Sequence, residues 1–244
     1  MAANFQLQKA AADFRMHKGI GPAEPIRLKS WLPKLGVVAV FKPLSDDFSG
    51  MAIKHAEQRF MIINCSHRIS KQHFTAAHEL YHLFIQQSFV SEISNTGLFD
   101  KKNKIEYEAD CFAAYLLLPE TALLAMIPSQ ELSKNKISLS TIVQLEQYFA
   151  CSRTALLFRL ADMDLIELKQ YEKFKKGVQH SAEMLGYDSS LYLPGNKGLV
   201  IGDYGVRAKA LLERGLISET HFLNLMRDIG KDLEKLPKKN DTQE

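Results

Sequence analysis

The sequence predicts a mainly helical α+β fold: a small N-terminal β-sheet beside a pair of metal-binding helices, followed by a helical C-terminal region. Two short β-branched and apolar blocks, Val37-Val38-Ala39-Val40-Phe41 and Phe60-Met61-Ile62-Ile63, lie either side of the turn-rich run from Ser45 to Gly50. Nearly everything after residue 70 places its apolar residues at helical intervals. With 244 residues, the chain is long enough to bury about 70–75 % of its unfolded surface without disulfide staples.

Taken in order, Phe5, Leu7, Ala11, Ala12 and Phe14 give a first helix over residues 4–17, closed by Gly19, Gly21 and Pro22. Ile26 to Leu35 gives a second, shortened or bent by Pro33 and ended by Gly36. The two apolar blocks then form strands, with Met51 to Lys54 as the middle strand of a sheet of two or three. Ser70 is the expected N-cap of a helix reaching about Gln87, on which Phe74, Ala77, Tyr81, Phe84 and Ile85 share the apolar spacing. A polar connection through Ser94-Asn95-Thr96-Gly97 leads to a helix from Ile105 to Leu118, stopped by Pro119. Further helices are expected near 120–127, 139–149, 152–175, 204–214 and 218–235. Gly186 to Gly205 reads as a loop or boundary, and Pro237 to Glu244 as a frayed end. The domains expected are 1–127, 128–185 and 186–244.

Thirty-one Lys and Arg against 28 Asp and Glu give a formal charge of +3, too mild to mark a nucleic-acid protein by charge alone. Three cysteines, Cys65, Cys111 and Cys151, show no CxxC spacing. That odd count argues for a reducing compartment and against a disulfide framework. No stretch approaches the ~18–20 consecutive apolar residues of a membrane span, and the N-terminal residues carry no export pattern. The expectation is a cytoplasmic protein without a membrane partner.

The chemistry concentrates in His78-Glu79-Leu80-Tyr81-His82, an HExxH pattern inside an expected helix. Residues four apart share a helix face, so His78 and His82 can present two imidazole nitrogens to one metal ion. Glu79, one position round, reaches the water on that ion and is the expected general base. Glu106 and Asp110 also stand four apart, on the next strong helix. Glu106 is the expected third ligand, and Asp110 the acceptor for the remaining N–H of a ligating histidine. Glu108 competes with Glu106, but lies about 200° round the helix from it. Three protein ligands leave a fourth position open, as catalytic zinc sites do. Zinc is the expected ion, with manganese as the alternative. His73 and Tyr81 are candidate cleft residues. Tyr81, His73, Arg68 and Tyr115 are candidates to stabilise the oxyanion.

These residues resemble the ImmA/IrrE metallopeptidases, whose zincin-like core pairs an HExxH helix with a later ExxA(N/D)xFAxxLLxP helix. Here the second helix reads Glu106-Tyr107-Glu108-Ala109-Asp110-Cys111-Phe112-Ala113-Ala114-Tyr115-Leu116-Leu117-Leu118-Pro119. Ser49-Gly50, Ile62-Ile63-Asn64 and the lead-in Phe74-Thr75-Ala76-Ala77 are similar as well. The likeness runs from about Ile26 to Pro119 and thins beyond Ser152. Tyr81 stands where the family more often has a small residue, and Gln86-Gln87 where a further histidine is common; both bear on cleft shape and substrate, not on the ligand set. The resemblance implies a zinc-dependent endopeptidase acting on a helix-turn-helix transcriptional repressor or similar regulatory protein, in a mobile-element or stress-response setting.

Residues 139–160 have the rhythm of a helix-turn-helix, but only Ser152, Arg153, Thr154 and Arg159 are offered to base edges. Packing or protein docking is the stronger reading there, and direct DNA contact the weaker. The alternative to an enzyme is a regulatory binding protein whose helical C-terminal part docks a transcription factor or DNA.

Overall fold

The computed structural model describes residues 2–231, and its helices and strands surround one long buried helix. Leu7, Ala11 and Phe14 form the inner stripe of α1 (Ala2–His17). Trp31 and Leu32 anchor α2 (Leu28–Lys34), which starts two residues later than the sequence implies and carries Pro33 in its last turn.

Five strands make the sheet: β1 (Val37–Lys42), β2 (Gly50–His55), β3 (Gln58–Asn64), β4 (Ile93–Ser94) and β5 (Val200–Ile201), in the order β4-β2-β3-β1-β5. β1 runs parallel to β3, and the other pairs are antiparallel. The expectation of two or three strands with Met51 to Lys54 in the middle is therefore corrected: β3 is central. The side-chain period of a strand reports its faces and not its neighbours. The two-residue strands β4 and β5 are too short to show a period at all, and β5 lies in the stretch expected to be loop. Asn64, wholly buried at the end of β3, donates to the carbonyls of Ser45 and Phe48 (2.8 Å each) and accepts from Leu44 N (3.0 Å) and Ser66 N (2.9 Å). One side chain thus closes the loop that feeds β2.

α3 (Ile69–Phe84) packs on β2 and β3, and thirteen of its sixteen residues are buried. Such a helix needs apolar neighbours on every side. The sheet provides one, α4 (Lys104–Leu117) a second, and the 190–195 segment covers its N-terminus. The cap differs from expectation. Ser70 lies inside the first turn, Arg68 occupies the cap position without a side-chain bond, and Ile69 N donates to Leu193 O (2.9 Å) instead. A carbonyl more than 120 residues away satisfies a terminal N–H that local pattern assigns to a serine.

Asn103 caps α4 by accepting from Glu106 N (3.4 Å), and Leu118-Pro119 ends it before α5 (Glu120–Met126). α6 (Leu139–Phe149) and α7 (Arg153–Asp162) are capped by Ser138 and Ser152. The single helix expected over 152–175 is broken. α7 ends at Asp162, Asp164 adopts a left-handed conformation (φ 57°), Leu165 and Ile166 turn into the core, and α8 (Leu168–Phe174) restarts. α9 (Val178–Met184), which the sequence reading did not anticipate, follows. α10 (Tyr204–Glu213) and α11 (Glu219–Asp228) form a hairpin in which α11 buries no side chain. The part of the expected 218–235 helix beyond residue 231 and the expected frayed end at Pro237 to Glu244 lie outside the described residues.

A single apolar cluster includes Leu7 of α1, Met61 of β3, Leu80 of α3, Phe112 of α4 and Leu156 of α7. Among the described residues no single helix is long and apolar enough to cross a membrane. α4 and α5 are together long and apolar enough, but they bend by 46° between them, and α4 is buried in this core.

Beside the core, Glu146 of α6 and Arg153 of α7 form a buried ion pair. The Arg153 Nη2 donates to Glu146 Oε2 (2.9 Å), Nη1 donates to Phe174 O (2.9 Å), and the Tyr192 hydroxyl donates to the same Glu146 oxygen (2.9 Å). Removing one partner of such a pair strands the other charge. Glu146→Ala is expected to destabilise the fold by about 3–5 kcal/mol in urea unfolding at unchanged slope, a figure drawn from other buried pairs; a loss below about 1 kcal/mol would show that the pair is dispensable.

Candidate metal centre

The helical spacing of α3 brings His78 and His82 onto one face, where the start of α4 crosses them. His78 Nε2 and His82 Nε2 lie 3.0 Å apart. Glu106 Oε2 is 3.2 Å from the first and Glu106 Oε1 3.4 Å from the second. Ligand atoms bonded tetrahedrally at ~2.0–2.1 Å stand about 3.3–3.4 Å apart, so the two nitrogens and the Glu106 carboxylate, which turns one oxygen to each, lie at close to the spacing of such a site. They are the group of His, Cys, Asp and Glu side chains among the described residues that could hold a metal ion.

Which nitrogen points inward is set by the other nitrogen of each ring. His78 Nδ1 bonds Asp110 Oδ1 (2.8 Å), and Asp110 is itself held by Gly97 N (2.9 Å) and Phe99 N (2.9 Å). His82 Nδ1 bonds Gln86 Oε1 (2.7 Å), while Gln86 Nε2 donates to Ser88 O (2.9 Å) and so fixes the amide's orientation. With both Nδ1 atoms donating, both Nε2 atoms offer lone pairs to the same point beside a carboxylate. Two nitrogens and a carboxylate this close favour a positive charge between them, a proton or a metal ion. The electrostatics agree: burial opposes charging His78, yet the hydrogen bonds and charges of Asp110 and Glu106 overcome it and raise its pKa to about 10. Burial and the neighbouring His78 charge lower that of His82.

Glu79 is wholly buried next to this group, and neither carboxylate oxygen has a hydrogen bond of normal length. Burial is the main cause that pushes its pKa up to about 7. Gly50 permits this placement. A Cβ there would come within 2.5 Å of Thr75 Cγ2 and 2.8 Å of Glu79 Oε1, so only glycine lets β2 run under the helix at that point. A cavity of about 220 Å³ opens beside His82 and Glu106, lined also by Ala52, Val90, Ser94 and Ile105.

The structure thus brings together His78, His82, Glu106, Asp110 and Glu79. Tyr81 adjoins them: its ring packs edge-on to His82 (5.6 Å between centroids), and its hydroxyl donates to Glu108 Oε2 (2.7 Å). That bond engages Glu108 outside the group formed by His78, His82 and Glu106. His73 lies elsewhere, with Nδ1 bonded to Ala150 O (2.8 Å) in a pocket beside Arg27. Arg68 sits at the N-terminus of α3, and Tyr115 lines a cavity at the far end of α4. Gln86 is a partner the sequence reading missed. Its signal was the four-residue spacing from His82, obscured because α3 ends at Phe84 and the chain only then curls back.

Residues 33–161, more than half of the chain, match the profile of the IrrE N-terminal-like domain, a peptidase family. The chain is also 24 % identical over 193 residues to a highly reducing polyketide synthase of Pyrenophora dematioidea, an alignment that covers 72 % of this chain and 8 % of that protein. It spans less than a tenth of that relative's length.

The geometry predicts one divalent ion per chain by elemental analysis. His78→Ala and Glu106→Ala are expected to lower that content well below one, Asp110→Ala to weaken affinity by about 10–100-fold, and Glu108→Ala to leave it unchanged. Loss of metal from Glu108→Ala with retention in Glu106→Ala would reverse the ligand assignment.

Proposed function

The chain belongs to the IrrE N-terminal-like family of peptidases, and on that premise we propose that it is a zinc-dependent endopeptidase with ligands His78, His82 and Glu106. The observation that carries this is the convergence of the His78 and His82 Nε2 atoms and the Glu106 carboxylate, at 3.0–3.4 Å from one another, beside a buried carboxylate without a hydrogen bond of normal length. Two imidazoles and one carboxylate suit zinc by ligand type, with manganese the alternative. An ion held there supplies Lewis acidity, drawing the pKa of water from ~15.7 towards ~7 and polarising the scissile carbonyl. Glu79 takes a proton from the attacking water on one carboxylate oxygen and gives it to the amine nitrogen as the peptide C–N bond breaks. No hydrogen bond of normal length ties up either oxygen, which leaves them available for that exchange. Asp110 and Gln86 keep the two imidazoles in the tautomer the reaction needs throughout.

The substrate we assign is a helix-turn-helix transcriptional repressor or a similar regulatory protein, the class implied by the family resemblance. Val90, Ile93 and Ile105 are exposed on the segments that form the cleft, an apolar rim suited to an unfolded protein segment. A cytoplasmic setting accords with three cysteines that are all free and buried. Direct DNA reading draws little support, because Arg153 and Arg159, two of the side chains it would use, are themselves buried.

The test compares protein N-termini across host cells carrying the wild-type chain or Glu79→Gln, with and without stress. A new N-terminus that requires Glu79 identifies the target and the bond; none under any condition, with function intact in Glu79→Gln, would favour a non-catalytic binding protein. With the substrate in hand, Glu79→Gln is expected to keep its metal and lose about 10²–10⁴-fold in rate. Gly50→Ala, which drives a methyl into Thr75 and Glu79, is expected to retain metal and lower the rate as well; full activity in that variant would show that Glu79 needs no such clearance.

A further inference from the structure

The cavity of about 220 Å³ beside the ligand group is smaller than the roughly 300–1,000 Å³ of sites that enclose whole small molecules, a size that suits one side chain of a longer ligand. Val90, Glu92 and Ser94 line it at every second residue of the run into β4, the period of extended chain, so their side chains share the face that looks on it. Ala52 of β2 and Ile105 of α4 complete the wall.

Two kinds of surface meet there. Val90 and Ile105 are apolar and keep 58 % and 47 % of their surface exposed, which leaves a flank for an apolar stem. Glu92 is exposed as well, and no ion pair or hydrogen bond engages its carboxylate among the described residues.

The charges around it do not cancel. No lysine or arginine lines the cavity. Lys104, at the start of α4, pairs with Glu108 (3.8 Å), and Lys54, two residues beyond Ala52 on β2, forms no ion pair among the described residues. Glu106 and Asp110 alone balance a divalent ion held by the ligand group, so Glu92 stays uncompensated with the ion in place. Its field reaches the histidines: burial and the His78 charge lower the His82 pKa, and Gln86, Glu106 and Glu92 act against them.

We propose that this cavity takes a lysine or arginine side chain of the protein substrate, next to the bond that is cut, with its aliphatic stem against Val90 and Ile105 and its charged end at Glu92. The assignment rests on the peptidase reading. Long side chains that are apolar along the stem and cationic at the tip match both kinds of surface. A purely aliphatic side chain leaves Glu92 unanswered, and an acidic one meets like charge from Glu92 and Glu106.

The test incubates the zinc-loaded full chain with peptides made from a proteome by cleavage at acidic residues, which leaves lysines and arginines internal, and reads the bonds cut by mass spectrometry. Lysine or arginine is expected at one fixed position within two residues of the cut. In synthetic versions of a cleaved peptide, lysine there is expected to exceed norleucine, which keeps the stem and lacks the charge, by about two- to fivefold in kcat/KM, the range of a solvent-accessible ion pair. That advantage shrinks as salt is raised. Glu92→Gln should bring the ratio to about one while elemental analysis shows its zinc retained, and Glu92→Lys should favour glutamate at that position instead. Cuts without a basic preference, or a preference that Glu92→Gln keeps, would overturn this assignment alone; if the wild-type chain cuts no peptide, the peptidase reading fails and the assignment with it.

Discussion

The hydrogen bond from His78 Nδ1 to Asp110, which joins α3 to α4 inside the core, is the interaction on which the rest of the site depends. It sets the tautomer of one imidazole, and through Gly97 N and Phe99 N it also fastens the loop that precedes α4. Glu106 can meet both histidines only because Asp110, one turn on, has already fixed how the two helices cross. The Gln86 bond does for His82 what Asp110 does for His78, from the same chain. Two helices from different stretches of sequence thus converge on a point with three ligand atoms, and the sheet enters by way of Gly50, which lets β2 pass close enough to bury Glu79.

Burying this much polarity in one helix is costly unless each group finds a partner. In α3 nearly all do. Gln72 bridges the carbonyls of His67 and Gly195, Thr75 pairs with Thr96, and His73 holds Ala150 O. Glu79 is the exception, with both oxygens buried and without a hydrogen bond of normal length. A carboxylate so placed amid satisfied neighbours costs stability, and that cost accords with the role proposed for it. In α6 and α7 buried charges also find partners: Arg153 and Arg159 are engaged by Glu146, Asp162 and main-chain carbonyls.

The grouping of His78, His82, Glu106 and Asp110 is legible in the sequence because its signals are local. His78 with His82, and Glu106 with Asp110, each stand one helical turn apart, and no tertiary information is needed to see that each pair shares a face. The strands at 37–42 and 58–64 announced themselves by composition. What escaped depends on distant parts of the chain. The order of the sheet follows from which strands meet, the cap of α3 is a carbonyl contributed by Leu193, and Gly50 matters only because of Thr75 and Glu79 above it. The break between α7 and α8 combined both kinds of signal. Asp164 takes a left-handed turn so that Leu165 and Ile166 reach the core, while the helical spacing on either side runs smoothly enough to hide it.

The central claim is that two imidazoles and one carboxylate, pinned from behind, converge on one ion. X-ray absorption at the metal edge of the zinc-loaded protein tests it most directly. Two imidazole nitrogens with oxygen ligands at about 2.0–2.1 Å in four-coordinate geometry, and one imidazole fewer in His82→Ala, is the predicted result. A sulfur ligand near ~2.3 Å, or a shell of oxygens without imidazole, would contradict the account and place the ion elsewhere in the protein.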